Sequence, residues 1–166
     1  MPAFNCILLC YDGTRDGQHA LKDGASLAQE LKADVHVLAV LNNSVWVQGA
    51  DITSAVPTDV VTESARSLLE EGLKKLAARG IRATGHFALG DPLDQIPFFA
   101  NDLKVDLIVV GHRRTSRMAR WWSGRNDGLL LDRVSCSVLV TMGPETGADA
   151  AVVESSGVDE TARSAA

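Results

Sequence analysis

Positive charge is in short supply in this chain. Sixteen lysines and arginines stand against 21 aspartates and glutamates, a net charge of −5 over 166 residues. Wholesale nucleic-acid binding is not expected, because that needs a basic domain. Long apolar runs are also missing. None approaches the roughly 18 residues that span a bilayer, so no membrane partner is expected. Residues 1–5 lack a basic leader, and the apolar run after them is short and ends at Asp12. It reads as a strand, not as a signal peptide. Cysteine is sparse and odd in number: Cys6, Cys10 and Cys136, with no CxxC spacing. Neither a disulfide framework nor a zinc knuckle fits that pattern. The compartment these absences suggest is the cytoplasm.

Familiar catalytic and nucleotide motifs are missing too. No GxGxxG follows the first apolar run, and there is no GxxxxGK[ST], so the dinucleotide fingerprint and the P-loop both fail. No Gly-x-Ser-x-Gly elbow occurs. His19, His36, His86 and His112 are scattered, and none lies near a cysteine in sequence. His36 falls inside an apolar strand and reads as a satisfied core histidine rather than a ligand. A response regulator would carry an acidic cluster around Asp12 and a lysine after the last strand, but that strand runs into Thr141-Met142. With no nucleophile–base pair and no metal cluster, the chain is expected to bind rather than turn over a substrate.

What is present is ordinary globular composition, 46 % hydrophobic and 22 % charged, enough for a single core without staples. Two periods alternate along it. Cys6 to Cys10 is a short apolar run, the pattern of a strand buried on both faces. Ala20, Leu21, Gly24, Ala25, Leu27, Ala28 and Leu31 then share one helical face, with Asp16 as the expected N-cap. Val35 to Leu41 is a second strand. A polar connection over 42–57 contains Trp46. Val61, Ala65, Leu68, Leu69, Gly72, Leu73 and Leu76 form a second helical stripe, started at Pro57-Thr58-Asp59 and stopped by Gly80. Ala83 to Leu89 is a third strand. The next helix should begin at Asp91 or Asp94. Pro97 is harmless if Asp94 is the cap and disruptive if the helix begins at Pro92. Leu107 to Val110 is the fourth strand, a short helix spans about 127–133, and Val138 to Val140 is the fifth strand.

The order β-α-β-α-β-α-β-α-β predicts an α/β fold, a single doubly wound domain with a five-stranded parallel sheet and helices on both faces. Residues 1–142 form this Rossmann-like domain. From 143 to 166 there are five acids (Glu145, Asp149, Glu154, Asp159, Glu160) and one base, Arg163. Without aromatics, that segment cannot bury enough surface to offset its ordering entropy. It is expected to be an acidic, disordered tail.

Ligands of open α/β sheets sit at the carboxyl ends of the strands, at the switch point. Three stretches compete for that place: Asp12-Gly13-Thr14, Val40-Leu41-Asn42, and the loop 111–126. The loop carries five of the eleven arginines, Arg113, Arg114, Arg117, Arg120 and Arg125, and no acid. Arginine forks suit phosphate. They suit equally the carboxylates of a neighbour or of the acidic tail. Trp121-Trp122 cannot both face one side of a helix, which leaves an indole either packed under the loop or offered to a partner or planar ligand.

Four stretches together resemble the universal stress protein family. They are Ile7-Leu8-Leu9 leading to Asp12-Gly13-Thr14, Gly90-Asp91-Pro92, Asp106 to Gly111, and Cys136 to Val140. The resemblance runs from about Asn5 to Met142. It implies an adenine-nucleotide site of the alpha-hydrolase-like kind, with Asp12 and Val40 against adenosine. Nucleotide-binding members carry Gly-x2-Gly-x9-Gly-(Ser/Thr) after the fourth strand. Here Gly111 and Gly124 hold the first and third positions, while Arg114 replaces the second glycine and Arg125 the hydroxyl, followed by Asn126. Gly-to-Arg forbids a positive φ and fills phosphate space, yet arginine also supplies charge. The site residues implied are Asp12, Gly13, Thr14, Val40, Gly111, Arg113, Arg114, Gly124, Arg125 and Asn126. The resemblance further implies a homodimer through Val138, Leu139 and Val140, an apolar edge that a two-fold partner would satisfy. The leading expectation is a homodimeric stress-response binding module with a degenerate site for ATP or another adenine nucleotide, open to an unknown protein partner. The rival is an ATP-binding switch or slow ATPase using the altered loop.

Overall fold

The computed structural model describes residues 4–41, 58–112 and 130–143. Trp46, Arg113, Arg114, Trp121, Trp122, Gly124, Arg125, Asn126 and the tail beyond Gly143 lie outside the described residues. The elements follow the expected alternation: β1 (Cys6–Tyr11), α1 (Arg15–Leu31), β2 (Asp34–Leu41), α2 (Thr58–Ala77), β3 (Ala83–Leu89), α3 (Pro92–Asp102), β4 (Leu107–His112), α4 (Leu130–Arg133) and β5 (Ser137–Met142). The strands form one five-stranded sheet in the order β3-β2-β1-β4-β5. Every pairing is parallel.

β1 lies at the centre, and Ile7, Leu8 and Leu9 are essentially inaccessible. Alternate residues serve opposite faces, because side chains of a strand repeat with period two. Ile7, Leu9 and Tyr11 pack with Ala20, Leu21, Ala25 and Ala28 of α1 and Leu69 and Leu76 of α2. Leu8 and Cys10 pack on the other face with Ile96 and Ala100 of α3 and Leu130 of α4. Asp106 ties the entry of β1 to that of β4: its carboxylate accepts from the Asn5 N–H at 2.8 Å and the Cys6 N–H at 3.1 Å.

Two helix starts differ from, or decide between, the sequence expectations. Thr14, not Asp16, caps α1. Its backbone is extended (φ −70°, ψ 164°) and its hydroxyl accepts from the Gly17 N–H at 3.1 Å. Asp16 falls in the first turn, where a carboxylate meets the positive end of the helix dipole. Asp91 caps α3 by accepting from the Leu93 N–H at 2.8 Å, so Pro97 does sit inside the helix. Proline lacks the N–H that would bond the carbonyl four residues back, which is that of Leu93. The Arg133 guanidinium of α4 donates to that carbonyl instead, at 3.3 Å, and pairs with Asp94 at 2.5 Å.

Candidate functional site

The strand order reverses direction of growth between β1 and β4, and there the carboxyl ends open a crevice. A cleft of about 170 Å3 occupies it. Cys10 and Tyr11 enter from β1, Asp12 from the turn after it, Leu38 and Val40 from β2, Gly111 from β4, Gly17 from α1, and Pro92 and Ile96 from α3. Three of the residues singled out from the sequence, Asp12, Val40 and Gly111, therefore meet in one cleft although they come from the ends of three strands. Gly13 and Thr14 form the turn beside it. Arg113, Arg114, Gly124, Arg125 and Asn126 lie outside the described residues.

The floor is built by close backbone approach. A Cβ on Gly111 would overlap the Asp16 carbonyl oxygen and stand 2.9 Å from the Gly17 nitrogen. A Cβ on Gly17 would likewise overlap Asp12 Oδ1. The two glycines thus let β4, the first turn of α1 and the Asp12 carboxylate share one small volume. Gly13 turns the chain with φ +73°, a conformation that costs an L side chain about 1–2 kcal/mol.

Asp12 is held in a fixed pose. Its Oδ1 accepts from the Thr14 N–H at 3.0 Å and from the Thr14 hydroxyl at 2.6 Å. That hydroxyl in turn accepts from Gly17, so one relay fixes turn, cap and carboxylate. Oδ1 is spent on this relay, and Oδ2 is the oxygen that remains for a donor in the cleft. The opposite wall is apolar, from Leu38, Val40, Pro92 and Ile96. Cys10 is no nucleophile here: burial, with lesser contributions from Asp12 and Cys136, pushes its thiol up to about 12. Beside Gly111 in register stands Thr141, whose buried hydroxyl has no partner among the described residues.

The sequence reading missed Cys10, Tyr11, Gly17, Leu38, Pro92 and Ile96 as walls of the cleft. Gly17 was the findable one, since glycine in the first turn of a helix sacrifices propensity and needs a packing reason. His19, His36 and His86 do not line the cleft. His36 is half-buried and its Nδ1 lies 3.0 Å from His86 Nε2, a satisfied pair as expected. Phe99 of α3 covers His86, with ring centroids 5.5 Å apart.

An acid on a turn, an apolar wall and a bare glycine backbone at the switch point define a doubly wound α/β protein with its candidate ligand cleft at the carboxyl ends of the strands. The family model described as the universal stress protein family matches residues 3–141. The chain belongs to that family. It is 30% identical over 146 residues to universal stress protein YxiE of Bacillus subtilis, covering 82% of this chain and 98% of that protein. A solved universal stress protein in complex with cAMP superposes with a TM-score of 0.63 at 19% identity, over 84% of this chain and 97% of its own. The Archaeoglobus fulgidus universal stress protein in complex with dAMP gives 0.57 at 16% identity, over 84% and 98%. At these identities the two structures establish the shared fold.

Proposed function

We propose that this chain is a stress-response binding module whose switch-point cleft takes the adenosine part of an adenine nucleotide. The observation that carries the reading is the convergence of Asp12, Val40 and Gly111 on one cleft. The apolar wall suits a planar base, and Asp12 Oδ2 suits a hydroxyl or amino donor. The cAMP and dAMP complexes of proteins with this fold support the same ligand class. A cleft of about 170 Å3 is smaller than the roughly 300 Å3 at which drug-sized sites begin. It suits the nucleoside, and phosphates would have to lie against the loop that follows Gly111. There Arg114 and Arg125 replace a glycine and a hydroxyl residue. We therefore read ATP in the family's usual pose as weakly bound or unbound, and the protein as a binder, not an ATPase.

Assembly belongs to the same reading. β5 is an edge strand bonded on one side to β4, and Leu139 and Met142 are exposed along it. This supports a homodimer through Val138, Leu139 and Val140. The three cysteines are free thiols, which supports a reducing, cytoplasmic setting. No described helix is long and apolar enough to cross a membrane.

The test is the adenine nucleotide content of the purified, denatured protein, followed by calorimetric titration with AMP, cAMP and Mg-ATP. AMP or cAMP should bind, and Val40→Trp, which fills the cleft, should weaken it at least about tenfold, or 1.4 kcal/mol. Arg114→Gly with Arg125→Ser should strengthen Mg-ATP. Tight Mg-ATP binding by the wild type that the double variant loses would make the arginines ligands and favour the ATP switch. No binding of any adenine nucleotide would leave a pure interaction module.

A further inference from the structure

A second hollow of the described surface is larger than the switch-point cleft. A groove of about 360 Å3 runs between α1 and α2 on the opposite side of α1 from β5. Arg15, Gln18, His19 and Lys22 line it from α1, Lys75 from the last turn of α2, and Arg79 from just beyond it. Its bottom is the buried pair Leu21 and Leu76. Four cations and no carboxylate line the groove. Lys75 is already paired with Glu71 at 2.8 Å, and Arg79 donates to the Ser26 hydroxyl at 2.8 Å. Arg15 and Lys22 are exposed and have no carboxylate partner among the described residues.

The described chain ends at Gly143, which follows β5 and lies across α1 from this groove, with His19 between. A Cβ on Gly143 would stand 3.2 Å from His19 Cδ2 and 2.8 Å from Asp16 Oδ1. His19 is thus both the neighbour of the chain exit and a wall of the groove. The residues from 144 to 166 carry Glu145, Asp149, Glu154, Asp159 and Glu160 against Arg163 alone. Asp149 is six residues past Gly143, a reach of about 20 Å. The lined part of α1, from Arg15 to Lys22, is about 10 Å long.

We infer that the acidic segment 144–166 of this chain docks in the α1–α2 groove of the same chain, its carboxylates on Arg15, Lys22 and Arg79. Charge complementarity and the reach of the segment from Gly143 point to the same place. The docking is electrostatic and needs no folding of the segment, so its sequence can be as poor in core-forming residues as it is. It is screened by salt, because exposed pairs weaken once the Debye length falls toward 3 Å. A docked segment occupies the groove, and any anionic partner of the groove must displace it.

The experiment is zero-length carbodiimide coupling on the full chain, mapped by mass spectrometry. This chemistry joins a lysine amine to a carboxylate already in contact, with loss of water. An equal mixture of 15N-labelled and unlabelled protein separates links within a chain from links between chains. Lys22 should couple to carboxylates between Asp149 and Glu160 within one chain, several-fold more than Lys32 or Lys104. Raising NaCl from about 50 mM to about 0.5 M should reduce that yield. So should Arg15→Glu, a first-turn acid that the helix dipole accommodates, with the circular dichroism unchanged. Links spread evenly over the lysines, links between chains, or no link at Lys22 would each overturn the inference. A segment lying on the arginine-rich loop would give that last result.

Discussion

Replacing Gly111 by alanine tests how the cleft is built. Gly111 is outside the left-handed region, so alanine meets no backbone strain there. The effect is purely one of space. The new methyl would overlap the Asp16 carbonyl oxygen and stand 2.5 Å from its carbon. Both are backbone atoms in the first turn of α1 and cannot rotate away. Either β4 or the whole helix start must move by about 1 Å. Overpacking of this kind costs about 1–3 kcal/mol. For a chain of this size each kcal/mol lowers the melting temperature by about 2–4 °C, so the expected loss is about 2–12 °C. Urea unfolding should show a lower midpoint at unchanged slope. Gly80→Ala is the matched comparison: Gly80 has φ +75° and nothing within 4 Å of a new Cβ. It should cost about 1–2 kcal/mol through backbone strain alone. Asparagine tolerates the left-handed region, so Gly80→Asn should be milder than Gly80→Ala, whereas Gly111→Asn should be worse than Gly111→Ala. A Gly111→Ala protein with the wild-type midpoint would refute the close-approach account of the cleft.

The His36–His86 pair should make the fold acid-sensitive. Burial and then the neighbouring His36 hold the His86 imidazole below its ordinary value, opposed by Asp102. The unfolded chain therefore takes up that proton first, and the contribution is intact above about pH 6.5 and lost as pH falls below it. The urea midpoint should fall between about pH 7 and 5.5, less so in His86→Gln, and equal slopes would refute it. Pro97→Ala and Arg133→Met should couple. The proline leaves the Leu93 carbonyl to Arg133, so Arg133→Met should cost about 1 kcal/mol more in the wild type than in the Pro97→Ala background. Strict additivity would dismiss the replacement of the missing N–H by the guanidinium. On the dimer reading, light scattering should give twice the chain mass for the wild type and the chain mass for Leu139→Lys, folded in both cases. A folded dimer of Leu139→Lys would sink the β5 interface.

Much of the architecture is a local matter and legible in the chain. Apolar runs such as Cys6 to Cys10 are buried on both faces and cannot be amphipathic helices, and the α2 stripe from Ala65 to Leu76 has helical spacing that no strand can use. β3, Ala83–Leu89, is readable to the residue because Gly90-Asp91-Pro92 ends it. Asp12, Val40 and Gly111 are nameable because strand ends are where an open α/β sheet puts its ligands. The family resemblance points to the same three positions.

Other features depend on the folded backbone geometry or on atoms far apart in sequence. Asp16 and Thr14 are both good caps by type, and only the extended backbone at Thr14, with its hydroxyl on Gly17 and Asp12, decides between them. Pro97 reads as a defect in a helix begun at Pro92 until Arg133, 40 residues beyond Leu93, reaches its carbonyl. The floor of the cleft is invisible in the chain, because Gly17 and Gly111 acquire their meaning from a separation below the size of a methyl group. The α1–α2 groove is likewise a product of packing, since Arg15 and Arg79 become neighbours only when two helices lie on one face of the sheet. Periodicity and turn chemistry are properties of a few consecutive residues, so the sequence alone settled the elements. Close approach and charge neighbourhood are properties of pairs, and the tertiary structure alone could decide them.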